Sequence, residues 1–355
     1  MPTFNGQLKP NEIFAALYNM IISQQVFADN VKGTYSSLVD KARVDGSMYG
    51  DTKLYYATDA LQSFAWENDA EAANLLELHR PEAPEVQSII IDQFRQIRLT
   101  VDDYLSKRAW GTEGAFASFT AIMKGWIRDT KRIYDSTIYN AYIGTATAGT
   151  GSFDGSEGQN QTLTLVEGTN DGLQYAEFLA NLLVELKDVS RDFNDYGYIR
   201  SYDEKDLMVV WNAKFYNSIK KVDLPVVFHN MDLLNEFDQE VLPSRYFGQI
   251  NEEEATGDGS TIRSLIEQVI GDKHYFAGDL IATGATAPAG TSYTEAQDIA
   301  FKVMHKKSVP YMSAFEVGTS FFNPRSLTTN HYLTFGHNTI EYLKNYPLIT
   351  VKVQG

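Results

Sequence analysis

Residues 112–144, TEGAFASFTAIMKGWIRDTKRIYDSTIYNAYIG, limit what this chain can fold into more than any other stretch. Apolar side chains recur at Phe116, Phe119, Met123, Ile127, Tyr134, Ile138 and Tyr142, mostly three or four apart, which lays one stripe along a helix. Thr112 can cap the start and Glu113 suits the positive end of the helix dipole. Gly144, followed by the small residues TATAGTGS, is expected to stop the helix. No proline lies between Pro84 and Pro225 to force a kink, and a straight helix of this span runs roughly 45–50 Å. A compact domain of this size seldom needs such a rod.

The 355 residues suffice for a sizeable core in two or more lobes, and 43% hydrophobic with 13% aromatic residues describes a folded chain. Thirty Lys and Arg against 46 Asp and Glu leave a net charge of −16, which argues against a dedicated nucleic-acid binder, since such affinity comes from neutralising phosphates. With no cysteine, disulfides, thiolate metal sites and thiol nucleophiles are excluded together. The start, MPTFNGQLKPNEIF, lacks a basic region before an apolar run, and no apolar stretch of about 18 residues occurs, so a soluble chain made in the cytosol with no membrane partner is expected.

In chain order, a polar arm leads into EIFAALYNMIISQQVFADN, a helical pattern for which Asn11 is the natural cap. Residues 47–107 change character: DTKLYYAT (51–58) and VQSIIIDQFRQIRLTV (86–101) read as strands around an acidic, partly helical segment closed by Pro81 and Pro84. A lone two-stranded ribbon is marginal in water and needs a surface to lie on. After a Gly/Ser/Thr-rich region come a strand, TLTLV (162–166), and a helix, GLQYAEFLANLLVELKDVSRDF, carrying Tyr175, Leu179, Leu182, Leu183 and Leu186 on one side. The strand DLMVVWN (206–212) runs straight into the helix AKFYNSIKKV, with Asn212 in the capping position. Residues 225–310 read as irregular, with short strands at PVVF and LIATGA, a helix at TIRSLIEQVIG and an acidic loop, NEEEATGDGS. The end reads as strands again, SAFEVGTSFF, TTNHYLTFGHNTIEYLK and NYPLITVKV, which makes the class α+β.

Motifs of catalysis are missing. There is no GxxxxGK[ST] loop, HExxH or GxSxG elbow, and the Gly149/Gly151 pair lacks the third glycine of a dinucleotide turn. The six histidines are scattered, and His331 and His337 on one strand sit about 20 Å apart, too far for one metal. Glu252, Glu253, Glu254 and Asp258 lack EF-hand spacing. No catalytic residue, cofactor or metal site is assigned.

The order of parts resembles the major capsid protein of tailed bacteriophages, the HK97 fold. Three stretches carry the resemblance: GSMYGDTKLYYATD through SIIIDQFRQIRLTVDDYLSKRAW, EFLANLLVELKD followed by DLMVVWNAKFYNSIKK, and FFNPRSLTTNHYLTFGHNTIEYLKNYPLITVKV. The resemblance implies an N-terminal arm (1–46), an extended loop (47–107), a peripheral domain with a spine helix (108–161), an axial domain (162–320) and closing strands of the peripheral domain beside the spine (321–355). It further implies a structural, non-enzymatic subunit that self-assembles in the host cytoplasm, through pentamers and hexamers, into an icosahedral virion head around double-stranded DNA. Lys53, Tyr55, Tyr56, Phe64, Trp66, Arg95 and Arg98 are the expected intersubunit contacts of the extended loop. Phe116, Phe119, Met123, Ile127, Tyr134 and Ile138 line the spine helix.

Expected partners are other copies of the chain, a portal protein and a separate scaffolding protein, since a built-in scaffolding segment has no room ahead of the arm. DNA is held only by weak, non-specific proximity. Covalent crosslinking of the kind some relatives use would join Lys53 to Asn338 of a neighbour. Three rivals differ in what they require. An encapsulin shell shares the fold but is usually shorter, a soluble carboxylate hydrolase needs a deep acidic cleft, and a carbohydrate-binding or tail-fibre component calls for repeats or a strand-dominated chain.

Overall fold

A computed structural model describes residues 37–45, 52–64, 78, 80–102, 113–148, 158–220, 238–251, 292–295 and 298–354. The expected helix at EIFAALYNMIISQQVFADN, residues 65–77 of the acidic segment, the helix at TIRSLIEQVIG and the acidic loop after Asn251 lie outside the described residues, as do PVVF and LIATGA. The elements, in order, are α1 (Ser37–Ala42), β1 (Arg43–Asp45), β2 (Thr52–Ala57), β3 (Glu85–Asp102), α2 (Glu113–Thr145), β4 (Asn160–Thr164), α3 (Asp171–Lys187), β5 (Leu207–Asn212), α4 (Ala213–Lys220) and β6 (Asp238–Leu242). They continue with β7 (Gly248–Asn251), β8 (Ser292–Glu295), β9 (Ile299–His305), β10 (Tyr311–Asn323), β11 (Thr328–Asn338) and β12 (Leu348–Gln354). One sheet has the order β1-β10-β11-β3-β2, a second the order β4-β12-β9-β5-β6, and β7 pairs with β8 alone.

Within the described residues the chain groups into two units, the first from 94–134 and 315–335, the second from 37–93, 135–314 and 336–355. In the first unit the stretch of α2 around Lys131 and Tyr134 lies on β11. Tyr134 meets Phe335 edge to face at 5.4 Å, and Lys131 Nζ stands 5.3 Å above the Phe335 ring and 3.7 Å from Glu316. Gln96 Nε2 donates to Thr334 Oγ1 (3.0 Å) and Thr100 Oγ1 to Asn330 Oδ1 (2.7 Å), which pins β3 against β11.

The core of the second unit lies around the second sheet. Tyr175, Leu179, Leu182, Leu183 and Leu186 of α3 are all buried, with Phe215 of α4, against Val209 and Trp211 of β5, Phe301 of β9 and Val351 of β12. Asn170 caps α3 by accepting from Gly172 N at 3.0 Å, and the helix stops at Lys187, short of the VSRDF that the sequence pattern included. Asn212 accepts from Lys214 N (3.1 Å) as the cap of α4 and donates Nδ2 to Ile299 O (2.9 Å), so one amide both starts the helix and ties β5 to β9.

Three expectations change here. First, β9 falls inside the stretch that reads as irregular, yet it is central to the second sheet and buried at every position. A strand covered on both faces shows no polar alternation, and IAFKVMH also carries a lysine. Second, the last strand does not close beside β10 and β11. β12 runs parallel to β4 and antiparallel to β9 in the second sheet. Its run LITV is apolar on both sides, which suits an interior position. Third, Gly144 does not end α2, which runs through it to Thr145. From Tyr134 to Thr145 the helix is buried all round, not along one stripe. The polar groups in that stretch are answered locally: Asp135 accepts from Tyr311 Oη (2.7 Å), and Thr145 Oγ1 donates to Ala141 O (2.7 Å).

The face of the second sheet opposite α3 meets the end of α2. Lys302, fully buried in β9, donates Nζ to Ala146 O at 2.5 Å, just past the helix, and Asn160 Nδ2 donates to Ala148 O at 3.0 Å. Burial, with Lys352 nearby, pulls the Lys302 ammonium down to about 7, while carbonyls at a helix C-terminus favour the cation. Between pH 7 and the ordinary lysine value the unfolded chain therefore holds more protons than the folded one, and stability rises with pH across that window. We expect Lys302→Met to stabilise the folded subunit at pH 7 by about 1–2 kcal/mol and to flatten that rise, as read by denaturant unfolding at pH 7 and pH 10. A destabilised variant would mean that the contact with Ala146 outweighs the burial of the charge.

Candidate assembly surfaces

β2 and β3 form an antiparallel ribbon in which Tyr56 faces Val86, Leu54 faces Ser88 and Thr52 faces Ile90. Side chains alternate across a strand, so Leu54, Tyr56, Val86 and Ile90 share one face. They are 51%, 63%, 48% and 46% exposed, an amount of bare apolar surface that a lone soluble subunit seldom carries at one place. The opposite face is closed, with Ile89 and Ile91 packed on Met312 and Leu343 and with Tyr55 against the same cluster. Burial raises the Tyr55 hydroxyl above its usual range. Beyond β2 the chain leaves with Leu61 and Phe64 exposed at 80% and 75%.

The ribbon stands on two loops. Residues 188–200 fold on themselves through Asn194, which accepts from Tyr198 N (2.8 Å) and donates to Tyr198 O (2.7 Å), with Gly197 supplying the left-handed turn (φ +64°). Residues 339–347 join them: Asp195 N donates to Lys344 O (2.9 Å), the Tyr342 hydroxyl donates to Asp195, and Arg200 Nε donates to Asn345 Oδ1 (3.0 Å). Gln87 of β3 is held by the second loop, donating to Tyr342 O (2.9 Å) and accepting from Lys344 N (3.1 Å). Asp92 accepts from Thr339 N (2.9 Å) and Thr339 Oγ1 (2.6 Å).

In the first unit, β10 and β11 carry exposed Val317 (39%) and, toward their connection, Phe321 (62%), Phe322 (48%) and Leu327 (44%). Phe321 and Phe322 are consecutive, so they project to opposite faces of the strand. Leu327 adopts φ +53° in the turn between the strands.

The expected contact residues divide between the two units. Lys53, Tyr55, Tyr56 and Phe64 belong to the second unit and Arg95 and Arg98 to the first, and Trp66 lies outside the described residues. Tyr55 turns onto its own core while Tyr56 turns outward, as the strand period requires. Lys53 and Arg95 are half-buried, and exposed Arg98 donates Nε to Gln96 Oε1 at 2.9 Å. Of the helix residues, Ile127, Tyr134 and Ile138 are buried, whereas the side chains of Phe116, Phe119 and Met123 lie outside the described residues. Leu54, Val86, Ile90, Phe321 and Phe322 were missed, although the even spacing of Leu54 with Tyr56 and of Val86 with Ile90 was there to be read.

Asn338 does not offer its amide to a neighbour. It is fully buried, accepts from Met312 N (2.7 Å) and donates Nδ2 to Pro310 O (3.2 Å) and Thr339 O (2.7 Å). In this fold the Asn338 amide is committed to its own subunit. His305 and His337 are core groups stacked on Tyr346 (4.4 Å) and Tyr311 (5.6 Å). Among the described residues no three His, Asp or Glu side chains come together as a metal site, and no helix is long and apolar enough to cross a membrane.

Comparison with known proteins bears on these surfaces. A family model, Phi29-like phage major capsid protein, matches residues 5–350. No curated protein sequence matches the chain. Among solved structures, one chain of the capsid structure of Staphylococcus phage Andhra superposes with a TM-score of 0.63 at 9% identity, over 93% of this chain and 87% of that one. A chain in the structure of the head fiber and inner core protein gp22 of native bacteriophage P68 superposes with a TM-score of 0.62 at 9% identity, over 100% and 89%. At such identities the likeness is one of fold.

Proposed function

The chain belongs to the Phi29-like phage major capsid protein family, and from that premise we infer that it is the structural subunit of a phage head, a shell made of many copies of itself. Its place is the virion capsid and its role is architectural. The match of the family over residues 5–350 carries this reading, and the exposed ribbon face supports it, because closed symmetry covers such a face on every copy at once. Neither a nanocompartment shell nor a carboxylate hydrolase is favoured beside a match of that length.

At a finer level, copies join as pentamers and hexamers of an icosahedral shell around double-stranded DNA, in the host cytoplasm. A portal protein occupies one vertex and a separate scaffolding protein guides closure. Residues 1–46 act as the arm, 47–107 as the extended loop, and α2 as the spine. With a net charge of −16 the subunit meets DNA by proximity and not by a phosphate-binding surface.

Negative-stain electron microscopy of the purified chain, made with and without its neighbouring phage genes, tests the reading. Closed shells, tubes or five- and six-membered rings are expected. A monomer that stays single at every salt and crowding condition would overturn it.

A further inference from the structure

The excursion that leaves β2 and returns at β3 is tied down at its first two residues, both in the second unit. Thr58 O accepts from Arg200 Nη2 at 2.6 Å. Asp59 takes three donors, one of them an ion-pair partner: Oδ1 accepts from Ile199 N (2.9 Å) and Ala60 N (2.8 Å), and Oδ2 from Arg191 Nη1 (2.8 Å). Neither arginine is a loose surface cation. Arg191 Nη1 also donates to Gly197 O (2.7 Å), and Arg200 is held by Asn345 and lies 5.5 Å over the Tyr198 ring. Both guanidiniums are thus also held by groups outside the excursion, which makes the site a clamp.

The carboxylate of Asp59 is held at about 2, first by the Ile199 amide and then by Arg191, so it stays charged at any pH at which the protein works. A carboxylate with that many fixed donors restrains direction as well as distance. Two residues after the clamp stands Leu61 and five after it Phe64, both large, apolar and strongly exposed.

We propose that Asp59 is the positioning residue of the extended loop: clamped to the 191–200 turn, it sets the angle at which the loop leaves its own subunit and presents Leu61 and Phe64 to a second copy of the chain. The proposal rests on the shell reading above and adds that the loop is aimed from within the subunit, not by the neighbour that receives it. An angular error at the clamp displaces Leu61 and Phe64 from the surface that receives them and so alters how copies join.

The test uses the full chain with Asp59→Ala and, as a milder break of the ion pair alone, Arg191→Met. Hydrogen exchange on unassembled subunits should show the Ile199 amide opening about tenfold faster in Asp59→Ala, with thermal unfolding of the rest little changed. Electron microscopy of assembly reactions should then show particles of mixed diameter for both variants where the unaltered chain gives one size. Exchange at Ile199 equal to that of the unaltered chain overturns the clamp. Faster exchange with particles of the single native diameter overturns its positioning role. If the unaltered chain, made together with its neighbouring phage genes, forms no shell, tube or ring, the shell reading falls and takes the proposal with it.

Discussion

Replacing Tyr56 with glutamate is expected to abolish closed shells while leaving the subunit folded. Tyr56 is 63% exposed and opposite Val86 on the outward face of the ribbon, so a carboxylate there is solvated in the free subunit and costs the fold little. In a shell the same face is covered, and burying an unpaired carboxylate costs several kcal/mol. Every copy carries that loss, and even one such contact per subunit lowers its association by well over about tenfold. Sedimentation of assembly reactions should show the glutamate variant as subunits and Tyr56→Phe as particles. Circular dichroism and thermal unfolding should match those of the unaltered chain. Normal shells from Tyr56→Glu would show that this face is not an intersubunit surface.

Gly144→Ala should have a comparably large effect on the subunit itself. A Cβ built at Gly144 would fall 1.9 Å from the Tyr246 carbonyl oxygen and 2.5 Å from its carbon, both backbone atoms of a short turn. No side-chain rotamer relieves such an overlap; either α2 or the Ser244–Tyr246 turn must move. Overpacking costs about 1–3 kcal/mol, and an overlap with backbone belongs at the top of that range, against a total stability of about 5–15 kcal/mol. The variant should therefore unfold at clearly lower denaturant concentration, or fail to accumulate in soluble form. Unfolding at the normal midpoint would mean that the turn yields easily.

These two positions also mark how far the sequence could be read. Periodicity found what one element shows by itself. The five apolar residues of α3 are all buried as their spacing requires, and β2 and β3 begin and end within a residue of the alternating runs that signalled them. Gly144 was visible as a glycine, but its purpose depends on Tyr246, about a hundred residues on. The clamp is of the same kind, since Asp59 and Arg191 stand 132 positions apart and each alone is an ordinary charged residue. In β9 the signal was hidden by completeness, because a strand buried on both faces has no polar side to set its period. Tyr55 and Tyr56 show the reverse error: treated as a pair of aromatics they share a role, and treated as strand neighbours they cannot.

The order of strands in the second sheet also bears on synthesis. β12 sits between β4 and β9, yet it comes from residues 348–354, nearly two hundred positions after β4. Until that segment has left the ribosome, β4 and β9 both lack the strand that pairs with them in the finished sheet, and β5 covers only the other side of β9. A nascent chain thus cannot complete the domain that holds the clamp, and any copy released early carries raw strand edges suited to misassociation, not closure. A chain broken off ahead of β12 therefore lacks the strand that joins β4 to β9 and cannot complete the second sheet.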